Sequence, residues 1–251
     1  MVKFRLRAAL VAAASLASGM ALAAGSDLPL MEANIEPDNV SSLQRGARNF
    51  MNYCSGCHSA EYVRYNTIGE DLELSEEQLI DNLMFNAEKT FETIRSAMDP
   101  QDAERWFGVV PPDMSLIARS KGVDYIYSFL QGFYVEEVSP TGVNNLYLDG
   151  TSMPHVLAGL QGLQRAEYSE HSEDDGMTST LEFDGFEMLT PGQLDEEDYD
   201  EFVRDTVNFL AYIAEPIRSD RRMIGTWVII YLLVFLIIAR MLKKQIWKDV
   251  K

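Results

Sequence analysis

The sequence predicts a mainly α fold that ends in a single membrane-spanning helix, and three stretches predict it. Ser41 to Cys54 has apolar residues at helical spacing, with Leu43, Ala47, Phe50 and Cys54 on one face. Asp198 to Ala214 repeats the pattern through Phe202, Thr206, Phe209, Leu210 and Ile213. Acidic residues open that second stretch, where the helix dipole favours them, and Pro216 follows its end. Met223 to Ala239 contains no charge. With Arg240, Met241 and Leu242 it gives about 20 residues, enough to cross a hydrocarbon core roughly 30 Å thick.

The 251 residues suffice for one sizeable domain with attachments. At the N-terminus Lys3, Arg5 and Arg7 precede the small apolar run Ala8 to Ala23, which closes on Ala21-Leu22-Ala23. A charged start, an apolar run and an A-x-A site describe a cleaved secretory leader. An uncleaved anchor is the weaker reading, because alanine-rich stretches span membranes poorly. The C-terminal run is apolar on every face, unlike a core helix with one buried stripe. Trp227, Tyr231 and Trp247 lie near its ends, where aromatic rings favour the interface. Arg240, Lys243, Lys244, Lys248 and Lys251 follow the span and put the C-terminus in the cytoplasm; Arg218, Arg221 and Arg222 before it soften that signal. The expected organisation is a leader at 1–23, an exported domain at 24–222, a span at 223–242 and a basic tail at 243–251. In a bacterium the exported domain lies in the periplasm and the span in the inner membrane.

Apolar residues make up 47% of the chain, which excludes wholesale disorder. The formal net charge is −18. Setting aside three positive charges in the leader and a net four in the tail leaves the rest of the chain at −25. Such a field suits a basic soluble partner and argues against nucleic acid, though it also serves simply to keep a domain soluble.

Two cysteines in an exported chain would ordinarily pair as a disulfide. Here they stand in Cys54-Ser55-Gly56-Cys57-His58. C-x-x-C-H is the attachment signature of haem c. Each thiol adds to one vinyl group, two intervening residues bridge the vinyl positions, and the adjacent histidine binds the iron. A thioredoxin-like dithiol would need a βαβ context, and a zinc site about four ligands; neither is evident.

A haem that only carries electrons wants a sixth ligand, and methionine with histidine raises the potential while closing the iron to oxygen. Among twelve methionines, Met153 is the first candidate. Gly150 and Pro154 flank it, so it belongs on a loop, which can hold a ligand over a haem. Met188, between Phe186 and Pro191, is the runner-up. Met98 and Met114 come after, and His155 ranks below Met188 as a possible second histidine ligand.

In this order these pieces resemble cytochrome c1, the haem c subunit of the quinol–cytochrome c (bc1) reductase. Four stretches carry the resemblance: Cys54 through Tyr65; Pro111-Pro112-Asp113-Met114-Ser115; Pro140-Thr141-Gly142-Val143 leading through Leu146-Tyr147 to Met153-Pro154; and Ala214-Glu215-Pro216 before basic residues and one span. The second departs from the family's pattern, with Met114 where leucine is usual. The resemblance implies a class I cytochrome c core with peripheral insertions. It also implies that Gly46 and Phe50, four apart, let the first helix cross a helix near the domain's end. It favours Met153 over Met188, puts Pro112 in the wall beside one covalent haem c, and offers Arg119 or Lys121 to a haem propionate. Arg119 reads equally well as a solvated charge.

The function implied is one-electron transfer without substrate chemistry, from the Rieske iron–sulfur subunit to a soluble or tethered periplasmic cytochrome c, beside cytochrome b in a dimeric complex. A membrane-tethered cytochrome serving a terminal oxidase, or a haem peroxidase or sensor, are the alternatives. Between Gln161 and Gln193 the chain is acidic, with Glu167, Glu170, Glu173, Asp174, Asp175, Glu182, Asp184 and Glu187. It departs from mitochondrial members and reads as a solvated loop or, more sharply, a docking surface for a basic cytochrome. Ser75 to Ile80 reads as a capped helix start, and Phe85 to Ala97 stays ambiguous between helix and coil.

Overall fold

The structure is a computed structural model that describes residues 28–172 and 179–249. The leader, and Glu173, Asp174 and Asp175 of the acidic stretch, lie outside the described residues.

Helices dominate, as the sequence predicts. Helix α1 (Val40–Tyr53) starts where the Asn39 side chain accepts from the Ser42 N–H. Strand β1 (Ala60–Arg64) and helices α2 (Tyr65–Asp71) and α3 (Glu76–Leu83) follow. The expected start of α3 is a complete capping box, with Ser75 and Gln78 each bonding the other's backbone N–H. Residues 85–97 form no helix; they hold only β2 (Thr93–Ile94), paired antiparallel with β1. Helix α4 (Pro100–Phe107) is capped by Asp99 and ends on Gly108 in the left-handed region, φ 73°. Helices α5 (Ile117–Ser120) and α6 (Val123–Gln131) lead to β3 (Phe133–Val135) and its antiparallel partner β4 (Val143–Asn145). Then come α7 (Ala158–Gln161), β5 (Gly162–Ser172), β6 (Ser179–Pro191), α8 (Glu196–Ala214) and α9 (Arg218–Ile246).

The crossing of α1 and α8 organises the core. At Gly46 the helices come so close that a Cβ would stand 2.0 Å from the Asp205 carbonyl oxygen and 2.7 Å from Phe209 Cβ. Only glycine fits. Phe50 packs on Phe209 with ring centroids 5.8 Å apart, and both are fully buried. A polar seam runs through the same crossing. Asp205, 4% exposed, accepts from Ser42 Oγ at 2.6 Å and is paired with Arg45; Asn49 donates to Thr206 Oγ1, and Asn208 to Ser42 Oγ. Ser42, Arg45 and Asn49 of α1 thus each bond a side chain of α8, which fixes the helices in one register, while Asn208 Oδ1 has no partner among the described residues.

Two elements differ from expectation. The described residues of the acidic stretch pair as a long antiparallel hairpin, β5–β6, with bulges beside Gln164 and Tyr168. Its structural cause is alternation: Leu181, Phe183 and Phe186 interleave with Glu182, Asp184 and Glu187, and Tyr168 packs edge-on to Phe183. Arg165 pairs with Glu187 across the strands at 3.0 Å. Helix α9 also runs beyond the expected 223–242, over 29 residues or about 44 Å. Its side chains are exposed along its length, so no core covers its apolar surface. By length and composition it is able to cross a membrane.

Candidate haem site

The C-x-x-C-H motif folds as a turn that continues α1. Cys54 is the C-cap of that helix, and its carbonyl accepts from the Cys57 N–H at 3.0 Å and the His58 N–H at 2.8 Å. Ser55 Oγ donates to the Met51 carbonyl. Burial pushes the Cys54 thiol up to about 12, with the neighbouring Cys57 adding to the rise, and burial raises Cys57 too.

His58 is aimed by the segment that follows Pro111. Its Nδ1 donates to the Pro112 carbonyl at 2.8 Å, which leaves Nε2 as the nitrogen with a free lone pair. Burial lowers the pKa of His58, and its hydrogen bond to Pro112 opposes this, so the neutral ring, the ligand form, is favoured. The Pro112 segment is itself strapped down. Met114 N–H donates to the Ser59 carbonyl at 2.7 Å, Asp113 accepts from the Glu61 N–H at 2.8 Å, and Ser115 Oγ accepts from the Tyr62 N–H at 3.1 Å. Pro112 thus acts through its carbonyl as well as by standing in the wall.

One cleft joins these groups. Cys54, Cys57, His58, Pro112 and Met153 all line it, and its space, open mouth included, is about 1050 Å³. Tyr53, Phe107, Val109, Phe129, Leu148 and Val156 supply much of the apolar wall. These wall residues had no local signal in the sequence. Phe129 and Leu148 lie more than seventy positions from Cys57 and meet it only through the packing of α6 and the β4–α7 connection.

The other sequence candidates lie elsewhere. Met188 sits on β6, 53% exposed, paired with Gln164 and outside the cleft. Met98, Met114 and His155 do not line the cleft either. Arg119 and Lys121 are exposed and outside its lining; Lys121 Nζ lies over the Tyr125 ring at 5.5 Å. The donor set of the cleft is two thiols on one turn, one imidazole with a free Nε2 and one thioether in apolar surroundings. That set fits a covalently attached haem with histidine and methionine on the iron.

A profile of the cytochrome C1 family matches residues 86–250. The chain belongs to the cytochrome c1 family. Cytochrome c1 of Allochromatium vinosum is 44% identical over 91% of this chain and 93% of its own. A Nitrosomonas europaea protein named ammonia monooxygenase gamma subunit is 38% identical over 100% of this chain and 99% of its own. Mitochondrial cytochrome c1 of Neurospora crassa is 28% identical over 84% of this chain and 63% of its own. The profile begins after the C-x-x-C-H motif, whereas the Nitrosomonas alignment runs through it. As a member of this family the chain is a haem-bearing electron-transport protein.

Proposed function

We propose that this chain is the haem c subunit of a quinol–cytochrome c reductase, an electron-transfer part of that enzyme without bond-making chemistry of its own. The carrying observation is the single cleft lined by Cys54, Cys57, His58 and Met153 in a cytochrome c1 family member. Cys54 and Cys57 hold haem c through thioether bonds, and His58 and Met153 ligate its iron. A haem c so ligated supplies reversible one-electron exchange. The Pro112 carbonyl keeps His58 in the ligating tautomer, while Val109, Phe129 and Leu148 keep water from the thioether. Arg119 has no acidic partner among the described residues, and either it or Lys121 meets a haem propionate.

Electrons arrive from a Rieske iron–sulfur subunit and leave to a basic periplasmic cytochrome c, steered by the net negative domain. The leader at 1–23 is removed, residues 24–222 form the periplasmic domain, and the 223–242 core of α9 spans the inner membrane with 243–251 in the cytoplasm. Cytochrome b is the neighbour in the membrane, within a dimeric complex.

Purification of the intact complex tests this. Expected are cytochrome b, an iron–sulfur subunit, and a methionine–iron charge-transfer band in the oxidised spectrum. The name of the Nitrosomonas relative supports a second reading, membership of an ammonia monooxygenase assembly. Monooxygenase subunits in place of cytochrome b and the iron–sulfur protein would decide for it.

A further inference from the structure

Behind the Met153 loop lies a polar pair that electron transfer as described does not use. His155 lies flat on Phe133, with ring centroids 4.9 Å and planes 5° apart. Its Nε2 is buried without a hydrogen-bond partner among the described residues, and so is Gln161 Oε1. Gln161 is also the side chain that acts on His155, partly opposing the burial that lowers the pKa of the ring to about 4. An unpaired buried polar group has lost its hydration with nothing in return, so an orphaned donor and an orphaned acceptor have strong reason to join. A neutral imidazole protonated at Nε2 is the donor that Oε1 lacks.

The rest of Gln161 is anchored. Its Nε2 donates to the Gln131 carbonyl at 3.2 Å. Gln164 Nε2 donates to the same carbonyl at 3.0 Å and to the Phe133 carbonyl at 2.8 Å. Gln161 and Gln164 thus tie the base of the β5–β6 hairpin to the end of α6 and the start of β3. Phe133 in turn meets Phe129 edge-on at 5.1 Å, and Phe129 lines the cleft. The loop carrying Met153 is held at its two ends, where the Gly150 N–H donates to Asn144 Oδ1 at 2.9 Å and the His155 carbonyl accepts from the Ala158 N–H at 3.2 Å. At Met153 itself the N–H has a 3.3 Å bond to Thr151 Oγ1.

The geometry points to His155 as a positioning residue for Met153. Stacked on Phe133 and latched to Gln161, its ring holds the Gly150–His155 loop so that the thioether stays in the cleft. Pro154, between the two, makes the link stiff. The inference rests on Met153 being the iron's sulfur ligand. Groups that orient a metal ligand from behind typically change metal affinity 10–100-fold when removed. Here that appears as easier displacement of methionine by an added ligand.

The test uses the intact membrane complex carrying His155→Ala, His155→Phe, Gln161→Leu or Met153→Leu. The readouts are the methionine–iron band, the reduction potential and cyanide affinity. His155→Ala is expected to weaken the band, lower the potential and raise cyanide affinity roughly 10–100-fold. Gln161→Leu moves all three the same way by less, and His155→Phe, which keeps the stack and loses the nitrogen, falls between. Should His155→Ala fail to yield holoprotein, the other two variants decide. If Gln161→Leu and both His155 variants that assemble keep the band, potential and affinity while Met153→Leu loses the band, the positioning role is overturned and the ligand assignment stands. A band that survives Met153→Leu overturns the ligand assignment and the positioning role with it.

Discussion

His58 and Met153 reach one cleft from mounts of different kinds. His58 follows directly on α1, which is clamped against α8 at Gly46 and through the Asp205 seam, and its ring is aimed by a 2.8 Å bond to Pro112. Met153 stands on a loop between β4 and α7 and depends on groups behind it, His155, Gln161 and Phe133. The difference separates two tasks. The histidine side carries both cysteines of the motif, and the proposed attachment would need them held on a rigid frame. On the proposed ligation the methionine side would make one weak, exchangeable bond, and its mount would set how firmly the iron is closed.

The largest expected effect comes from breaking the rigid mount. Gly46→Val puts carbon where the Asp205 carbonyl stands, and the α1–α8 crossing must open. A loss of at least about 3 kcal/mol is expected, at the upper end for overpacked cores, with little mature haem-bearing protein in membranes. A haem-stained gel of membrane fractions measures it; normal levels of haem-linked chain would show that the crossing tolerates separation. Asp205→Ala follows. It strips Ser42 Oγ of an acceptor and leaves Arg45 with the exposed Glu201 alone. A loss of roughly 2–3 kcal/mol is expected in thermal unfolding, with the absorption spectrum unchanged.

The two mounts also differ in how legible they were. The haem motif, α1, α8 and the apolar C-terminal run were readable because each is local: fixed motif spacing, a 3.6-residue period, an absence of charge. Gly46 was flagged by the family resemblance, in which a small residue stands four before an aromatic such as Phe50. The acidic stretch from Gln161 to Gln193 was read by charge alone, and its two-residue alternation at Leu181-Glu182-Phe183-Asp184, the signal for the hairpin, went unused. Met153 was reachable through its Gly and Pro neighbours. The stack of His155 on Phe133 and the orphaned Gln161 were not, because a tertiary contact between separate loops leaves no periodic trace.

Met153→Leu sharpens the comparison at the next level. Leucine keeps the apolar volume, so folding and haem attachment should survive, with stability within about 1.5 kcal/mol of the parent. The reduction potential should fall and the reduced protein should bind carbon monoxide, which the parent should not. His58 then remains the protein's own ligand, and the spectrum of the variant shows what the rigid mount achieves alone. An unchanged spectrum would move the assignment to another methionine.

The smallest effect belongs to the hairpin that Gln161 and Gln164 anchor. Glu167→Gln, Asp184→Asn and Glu187→Gln together remove three negative charges from it. The Arg165–Glu187 pair they break is half-exposed on both sides, and such pairs contribute about 0–1 kcal/mol, so the thermal midpoint should move little. Association with a basic cytochrome should slow by a few-fold at low ionic strength, and the gap should close near 0.15 M salt as screening shortens the reach of the field. Stopped-flow oxidation across a salt series measures both. A rate that falls equally at every ionic strength, with a weakened methionine–iron band, would mean that the hairpin acts through the Met153 mount and not through its charge.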